Sequence, residues 1–394
     1  MPRWTPPALP EELLEEIFLR LPPDEPAHLV RASLASKLWL GILTGARFRG
    51  LYRDFHRAAP MLGFIYSCPQ HHVVPKQEEQ DNNLPDFVAT AKFGARVPAV
   101  EDWRGWHKDY TAWDCRHGRV LFANCNETPM PLVVWDPMTG RRRLMYAPQD
   151  YDSSTAAVLC GVTGCDHGAC HAGPFQVVFV GLYTGAGGCV AYAHVSLPDV
   201  GKWSEPCPAL HLPAEDASIA GRPPVFIKDT LYFMLTYEYE VSNNIAILKY
   251  DLGSSCLSLI DGPPVEGCRP GHAVVMAMED ASLGFAHVDW FTLQLWSRHI
   301  GSNGVITWSR RVIDLMTICP FRELKKKIRV FGSVECNDII FVIIDLVIYK
   351  INLKSLRSKK IWKKEQGKFH ALFPYMSFYN PPGIYLYMEF FVIW

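Results

Sequence analysis

Two regimes of hydrophobic patterning divide the chain. From Leu9 to Leu51 apolar residues recur at helical spacing: Leu13, Leu14, Ile17, Phe18 and Leu21, then Leu29, Val30 and Leu34, then Trp39 and Leu43. Pro10 suits a first helical position, where a missing N–H is no loss, and Glu11, Glu12, Glu15 and Glu16 lie toward the positive end of the helix dipole. Pro22 and Pro23 end this helix, a second opens near Asp24 to Pro26, and a third reaches Gly45. The pattern predicts a small three-helix unit. Its first helix carries the doublets Leu13-Leu14 and Ile17-Phe18, which cover two adjoining faces, more than one short helix can bury in a unit of this size.

From Met61 onward the period changes. Short apolar runs follow one another, among them MLGFIYS, RVLFAN, PLVVWD, FQVVFVGLY, CVAYAHV, IAILKYDL and IIFVII, and few segments keep a helical period. Three strands end in the same punctuation, Trp135-Asp136-Pro137-Met138-Thr139-Gly140, Tyr250-Asp251-Leu252-Gly253 and Ile351-Asn352-Leu353-Lys354-Ser355. Asp and Asn bond backbone groups two residues ahead, and Gly supplies a positive φ. The intervals are about twice the roughly fifty residues of a kelch-like blade, which predicts a mainly β fold, a β-propeller of about six or seven blades. The run IIFVIIDLVIYKI is broken by Asp345 and Lys350, so it reads as two buried strands rather than a membrane span.

The N-terminal residues carry a resemblance. Leu9-Pro10, Leu21-Pro22, Ser36-Lys37-Leu38-Trp39 and Phe48 make the segment resemble an F-box, here taken as residues 7–52. That resemblance implies docking on the Skp adaptor, and through it on the cullin, of a ubiquitin ligase of the SCF type. It assigns Leu9, Pro10, Ile17, Leu21, Pro22, Leu29 and Trp39 as contact or scaffold positions. Ala35 stands where the family usually has Val, and Leu38 where it often has Arg, which implies weaker docking. Phrases such as DCRHGRVLF, LYFMLTY and LFPYMSFYNP resemble the F-box-associated β-propeller of plant, particularly grass, F-box families, placing that domain over residues 61–394. Beyond Pro382 the tail GIYLYMEFFVIW departs from the pattern.

Composition narrows the function. Of 394 residues, 49% are hydrophobic and 20% charged, with a net charge of −1, which describes a folded soluble chain and neither a nucleic-acid nor a membrane binder. MPRWTPPALPEELL lacks the apolar run of a secretory signal, so a cytoplasmic or nuclear location is expected. Twelve cysteines are too sparse for a disulfide scaffold at this length.

Candidate chemistry is thin. Cys160, Cys165, His167, Cys170 and His171 are zinc-ligand types, but they crowd into one Gly-rich loop instead of two separated pairs, and no metal or other cofactor is expected. Trp103, Trp106, His107, Tyr110 and Trp113 form an aromatic cluster; Trp103, Trp106 and Tyr110 are the candidates for contact with a target, with blade packing the alternative. Residues 310–370 hold fifteen Lys and Arg against six Asp and Glu, suited to an acidic substrate or to solvated strand ends. No nucleophile elbow, phosphate-binding loop or zinc-protease pair occurs. The chain therefore reads as a non-catalytic substrate receptor for an unknown target protein. The rival, a propeller enzyme (hydrolase or glycan-acting) with accessory helices, predicts a polar cluster with perturbed pKa values in the central channel. A third reading is a receptor with weakened Skp binding.

Overall fold

The computed structural model describes residues 9–67, 87–89, 110–138, 140–162, 165, 173–185, 187–197, 202–237, 245–265, 272–320, 327–335, 337–363 and 371–379. Four helices open the described chain: α1 Glu11–Leu19, α2 Ala27–Ala35, α3 Lys37–Thr44 and α4 Ala46–His56. The third predicted helical stretch thus continues past Gly45, whose extended backbone (φ −65, ψ 139) separates α3 from α4. Pro10 sits one residue earlier than expected, as the cap of α1, where its carbonyl accepts from the N–H groups of Leu13 and Leu14. Ser36 caps α3 by accepting from the Leu38 N–H at 3.2 Å.

The strands follow as β1 Met61–Ser67, β2 Phe87–Ala89, β3 Tyr110–Arg116, β4 Arg119–Asn124, β5 Pro131–Trp135 and β6 Arg142–Tyr146. Next come β7 Ser153–Cys160, β8 Phe175–Gly185, β9 Gly188–Val195, β10 Leu210–His211, β11 Ala217–Ile219, β12 Val225–Ile227, β13 Thr230–Tyr237, β14 Ala246–Asp251 and β15 Cys256–Asp261. The rest are β16 Ala273–Ala277, β17 Leu283–Asp289, β18 Thr292–Ile300, β19 Ile306–Asp314, β20 Ile328–Val334, β21 Ile339–Ile344, β22 Val347–Asn352, β23 Arg357–Lys363 and β24 Ala371–Met376, with the short helix α5 Leu315–Ile318 after β19. They pair into six antiparallel sheets: β3–β6, β7–β10, β11–β15, β16–β19, β20–β23, and a last sheet ordered β2-β1-β24. This is a six-bladed propeller, within the predicted six or seven blades.

Both faces of each blade are covered, which explains the continuous apolar runs. β4 and β5 are buried at every position because one face packs on the preceding blade and the other on the next. Trp113, Leu121, Val158 and Phe179 fill the space between the first two of these sheets, and equivalent apolar clusters lie between each later pair. Ile65, Phe122, Trp135 and Phe373 join the last sheet to the first. The ring is closed by β1 against β24, from Met61↔Met376 to Ser67↔Ala371. The run read as two buried strands is β21 and β22, turned at Asp345, and no helix among the described residues is long and apolar enough to cross a membrane.

The predicted turns recur at one place in three blades, between the third and fourth strands. Asp136 accepts from the Met138 N–H, Asp251 from the Ser254 N–H, and Asn352 from the N–H groups of Lys354 and Ser355. Four residues beyond each Asp or Asn the chain turns left-handed, at Gly140, Ser255 and Leu356.

Each inner strand begins at the same face of the ring and ends at the other, as shown where neighbours touch. Ser153, opening β7, accepts from the Ile219 N–H of β11, while near the opposite ends Asp114 of β3 accepts from the Val158 N–H of β7. The helical unit lies at the face where the inner strands end. Ser377, just past β24, donates its N–H to Pro60, and Phe378 is buried in the helical core with Phe18, Leu29, Leu43, Phe48 and Tyr52. We call this face proximal and the opposite one distal.

Candidate functional site

The helical unit resolves the surplus of apolar residues on α1. Leu14 and Phe18 point inward at 4% and 3% exposure, whereas Leu13 and Ile17, one position earlier in each doublet, stand outward at 50% and 49%. Leu34 at the end of α2 and Leu38 at the start of α3 are similarly exposed, at 56% and 51%. Ala35, between them in sequence, is exposed as well. With Leu9 and Leu51 also exposed, this small unit carries several large aliphatic side chains on its outside, each of which contributes about 1.5–3 kcal/mol when fully removed from water.

The positions assigned from the sequence fall into two groups. Leu9, Pro10, Ile17 and Pro22 are exposed and accessible to a partner. Leu29 is fully buried, and Leu21 and Trp39 are half-buried, so these three hold the scaffold. The Trp39 ring packs edge-on to Phe18 at 5.2 Å, and Leu21 supplies the carbonyl that accepts the Tyr52 hydroxyl at 2.7 Å. Burial, and then the negative charge of Asp24, pushes the Tyr52 hydroxyl pKa up, so it stays a donor. Leu13, Leu34 and Leu38 were not among the assigned positions. The signal for Leu13 was its place in an outward-facing doublet. Beside this surface α1, α3 and α4 border a cavity of ≈ 300 Å³ lined by Glu11, Glu12, Glu15, Arg47 and Phe48, with Arg47 paired to Glu15 at 3.2 Å.

Of the aromatic candidates, Tyr110 is 8% exposed and packs between the first and last sheets, so it is blade core and not target surface. Its neighbour Trp113 is likewise packed, against Phe179. Trp103 and Trp106 lie outside the described residues, as do His167, Cys170 and His171 and the tail beyond Pro382. Cys160 is buried at the end of β7 and Cys165 is half-buried, both as free thiols. Among the described residues no group of His, Cys, Asp and Glu is arranged to hold a metal.

The channel does contain a polar cluster. Arg116, at the end of β3, donates from Nη1 to Asp114 at 2.6 Å, from Nε to Glu335 at 3.1 Å and from Nη2 to the Pro224 carbonyl at 2.9 Å. Glu335 also accepts from the Phe226 N–H at 2.7 Å, and Asp114 from the N–H groups of Val158 and Cys115. One guanidinium thus ties the first, third and fifth sheets across the ring, with Asp114 adding the second. Burial pushes the Asp114 carboxyl up to about 7 against the opposing pull of Arg116, while burial lowers the Arg116 pKa but Asp114 and Glu335 together outweigh it and raise it. Asp114 is 1% exposed, and its oxygens already accept three N–H groups besides the residue's own ladder. The group acts as a clamp at the proximal end of the channel.

Residues 7–49 match the F-box domain. The four-helix unit is therefore an F-box carrying exposed aliphatic side chains, set on a six-bladed propeller. No curated protein matches the chain. Among solved structures it is similar to the WD40 domain of SCAP from fission yeast, at 12% identity over 68% of this chain and 57% of that one, TM-score 0.34. It is also similar to a luciferin-regenerating enzyme, at 10% identity over 63% and 74%, TM-score 0.37, and to the Dos1 propeller, at 8% over 63% and 58%, TM-score 0.35. The chain spans less than two thirds of the length of the first of these.

Proposed function

We propose that this protein is the substrate-recognition subunit of a cullin-RING ubiquitin ligase of the SCF type. The F-box docks on the Skp adaptor and through it on the cullin, and the propeller captures a target protein. The observation that carries the reading is the exposure of Leu13, Ile17, Leu34 and Leu38 on a segment that matches the F-box domain. Leu9, Pro10, Ile17 and Pro22 extend that contact, with Leu29, Leu21 and Trp39 holding its shape. The F-box is taken as residues 7–52 and the propeller domain as 61–394. The protein supplies no catalytic group; it raises the effective concentration of the target near the ubiquitin-charged enzyme, and location is cytoplasmic or nuclear.

Co-purification with Skp tests the reading, comparing wild type with a Leu13→Ser, Ile17→Ser double variant. Both positions are solvent-exposed, so the fold persists while adaptor affinity falls by about a hundredfold or more, the equivalent of losing two buried aliphatic contacts. Equal recovery from both proteins would sink the model. An enzyme built on the channel is the second reading, favoured by the raised pKa of Asp114. The burial of that carboxyl and its engagement by Arg116 and Val158 weigh against it.

A further inference from the structure

The central channel holds guanidinium side chains in two settings of opposite character. At the proximal end burial lowers the Arg116 pKa, and the ion pairs with Asp114 and Glu335 outweigh it. Arg222 and Arg329 lie further toward the distal face. Arg222 belongs to the segment between β11 and β12, where the inner strand of the third sheet breaks, and it is only 7% exposed. Just beyond it the Pro224 carbonyl accepts from Arg116 and the Phe226 N–H donates to Glu335, so this segment faces β20 across the channel. Arg329 is the second residue of β20, near the end where the inner strands begin. Its neighbours Ile328 and Val330 pack on the fourth sheet, so its side chain leaves the other face of the strand. Its charge nevertheless acts on Arg222 of the third sheet. The fourth sheet fills the outer route between the third and fifth, so the two guanidiniums approach each other through the channel.

Arg329 forms no hydrogen bond or ion pair with a described residue. Burial, and after it the charge of Arg329, pushes the Arg222 pKa down to about 10, and burial lowers that of Arg329. Both shifts run opposite to that of Arg116, so the fold leaves this pair with a net repulsion while both stay charged at neutral pH. The carboxylates that open the neighbouring inner strands turn elsewhere. Asp152 accepts from the Thr184 N–H of β8, and Asp152 and Asp216 act, after burial, on the Cys189 thiol of β9.

A guanidinium is a planar fork of N–H donors matched to the oxygens of a phosphoryl group, and a dianion between two of them supplies the opposite charge the pair lacks. The sequence around β20 favours the approach of an anion. Residues 310–370, which include the fifth sheet and its connections, hold fifteen Lys and Arg against six Asp and Glu in a chain of net charge −1. We propose that the channel, on the distal side of the Arg116 clamp, binds a phosphoryl group between Arg222 and Arg329. A position inside the ring admits a small phosphate compound or a single phosphorylated side chain, and not a folded surface. The site belongs to the propeller and is independent of adaptor docking.

Isothermal titration of the full chain with inorganic phosphate and pyrophosphate, against acetate and sodium chloride at matched ionic strength, tests the site. The phosphates bind the wild type, and Arg329→Met weakens that binding by about tenfold or more, the loss of one set of charge-assisted hydrogen bonds. Arg329→Glu gives Arg222 a counter-charge within the chain. It abolishes phosphate binding and raises the melting temperature of the free protein, as phosphate does for the wild type. A Lys359→Met, Lys360→Met variant, which removes exposed charge from β23, leaves binding unchanged. Tighter binding of a phosphoserine peptide than of pyrophosphate marks the group as carried by a protein segment, and the reverse order marks a small compound; either order supports the site. Acetate binding as tightly as phosphate overturns the proposal, as does phosphate no more effective than chloride. An Arg329→Met variant that binds like wild type, a β23 variant that loses as much as Arg329→Met, or a lower melting temperature for Arg329→Glu also overturns it.

Discussion

The ring of Phe378 meets that of Tyr52 edge-on, 6.0 Å between centroids, and joins the residue just past the propeller's closing strand to the last helix of the F-box. Two domains that are separable in sequence therefore share a core. Phe378→Ala removes a fully buried aromatic, at a cost of about 3–5 kcal/mol. The loss falls on both sides of the junction, so amide hydrogen exchange accelerates in α1–α4 and in β1 and β24 alike. Faster exchange confined to the propeller would show that the F-box holds itself together without this contact.

Arg116 and its two carboxylates give a second prediction. Removing one partner of a buried ion pair costs about 3–5 kcal/mol, and this applies to Asp114→Ala above about pH 7, where the carboxyl is ionised; Glu335, about a third exposed, is worth less because solvent screens it. Thermal unfolding of Asp114→Ala, Glu335→Ala and Arg116→Met gives the comparison. Arg116→Met is less harmful than Asp114→Ala if the shape of the methylene stem matters more than the charge.

The pH dependence follows from the same carboxyl. In the folded chain Asp114 keeps its proton up to about pH 7, whereas in the unfolded chain it releases it in the ordinary carboxylate range. Between those values the folded state binds more protons, so this group's stabilising contribution is fully present in acid and is lost as pH rises through about 7. Asp114→Asn removes that dependence. Melting temperatures of wild type and variant from pH 4 to 8 should diverge in slope, and parallel curves would count against the burial-driven shift.

The turn residues Ser255 and Leu356 occupy the left-handed position that Gly140 fills in the first sheet. An L side chain pays roughly 1 kcal/mol there, less the extra freedom that glycine gains when unfolded. Leu356→Gly and Ser255→Gly each raise the melting temperature slightly, and Gly140→Ala lowers it. A fall for either glycine variant would mean that packing by the side chain outweighs the backbone strain.

Ala35 is exposed at the end of α2, so enlarging it leaves the free protein undisturbed. Under the proposed docking, Ala35→Val adds two methyl-sized groups next to Leu34, which corresponds to about tenfold tighter binding to Skp if both are buried in the contact. Surface-bound Skp titrated with each protein measures this directly, and unchanged affinity would place Ala35 outside the contact.

What the sequence disclosed and what it did not has a physical division. The Asp and Asn turns were legible because an Asx bond is made within a few residues of chain, and the outward face of α1 because two apolar doublets cannot share one buried stripe. The Arg116–Glu335 pair spans 219 residues and carries no local pattern, since either residue reads as an ordinary strand end until the ring brings them together. Phe378 looked like one more aromatic in FYNP for the same reason. Helix counting failed at Gly45 because a single extended residue interrupts the hydrogen-bond ladder without changing the apolar period on either side.

The pairing of β1 with β24 also sets an order of events at the ribosome. The F-box and β1 leave the exit tunnel before β24, the strand that completes the β1 sheet, which follows about 300 residues later. At roughly 5–20 residues per second that interval is about 15 to 60 seconds. Throughout it the nascent F-box lacks Phe378, and β1 presents an open edge. During synthesis, chaperones or the adaptor itself have time to occupy the young helices before the ring shuts.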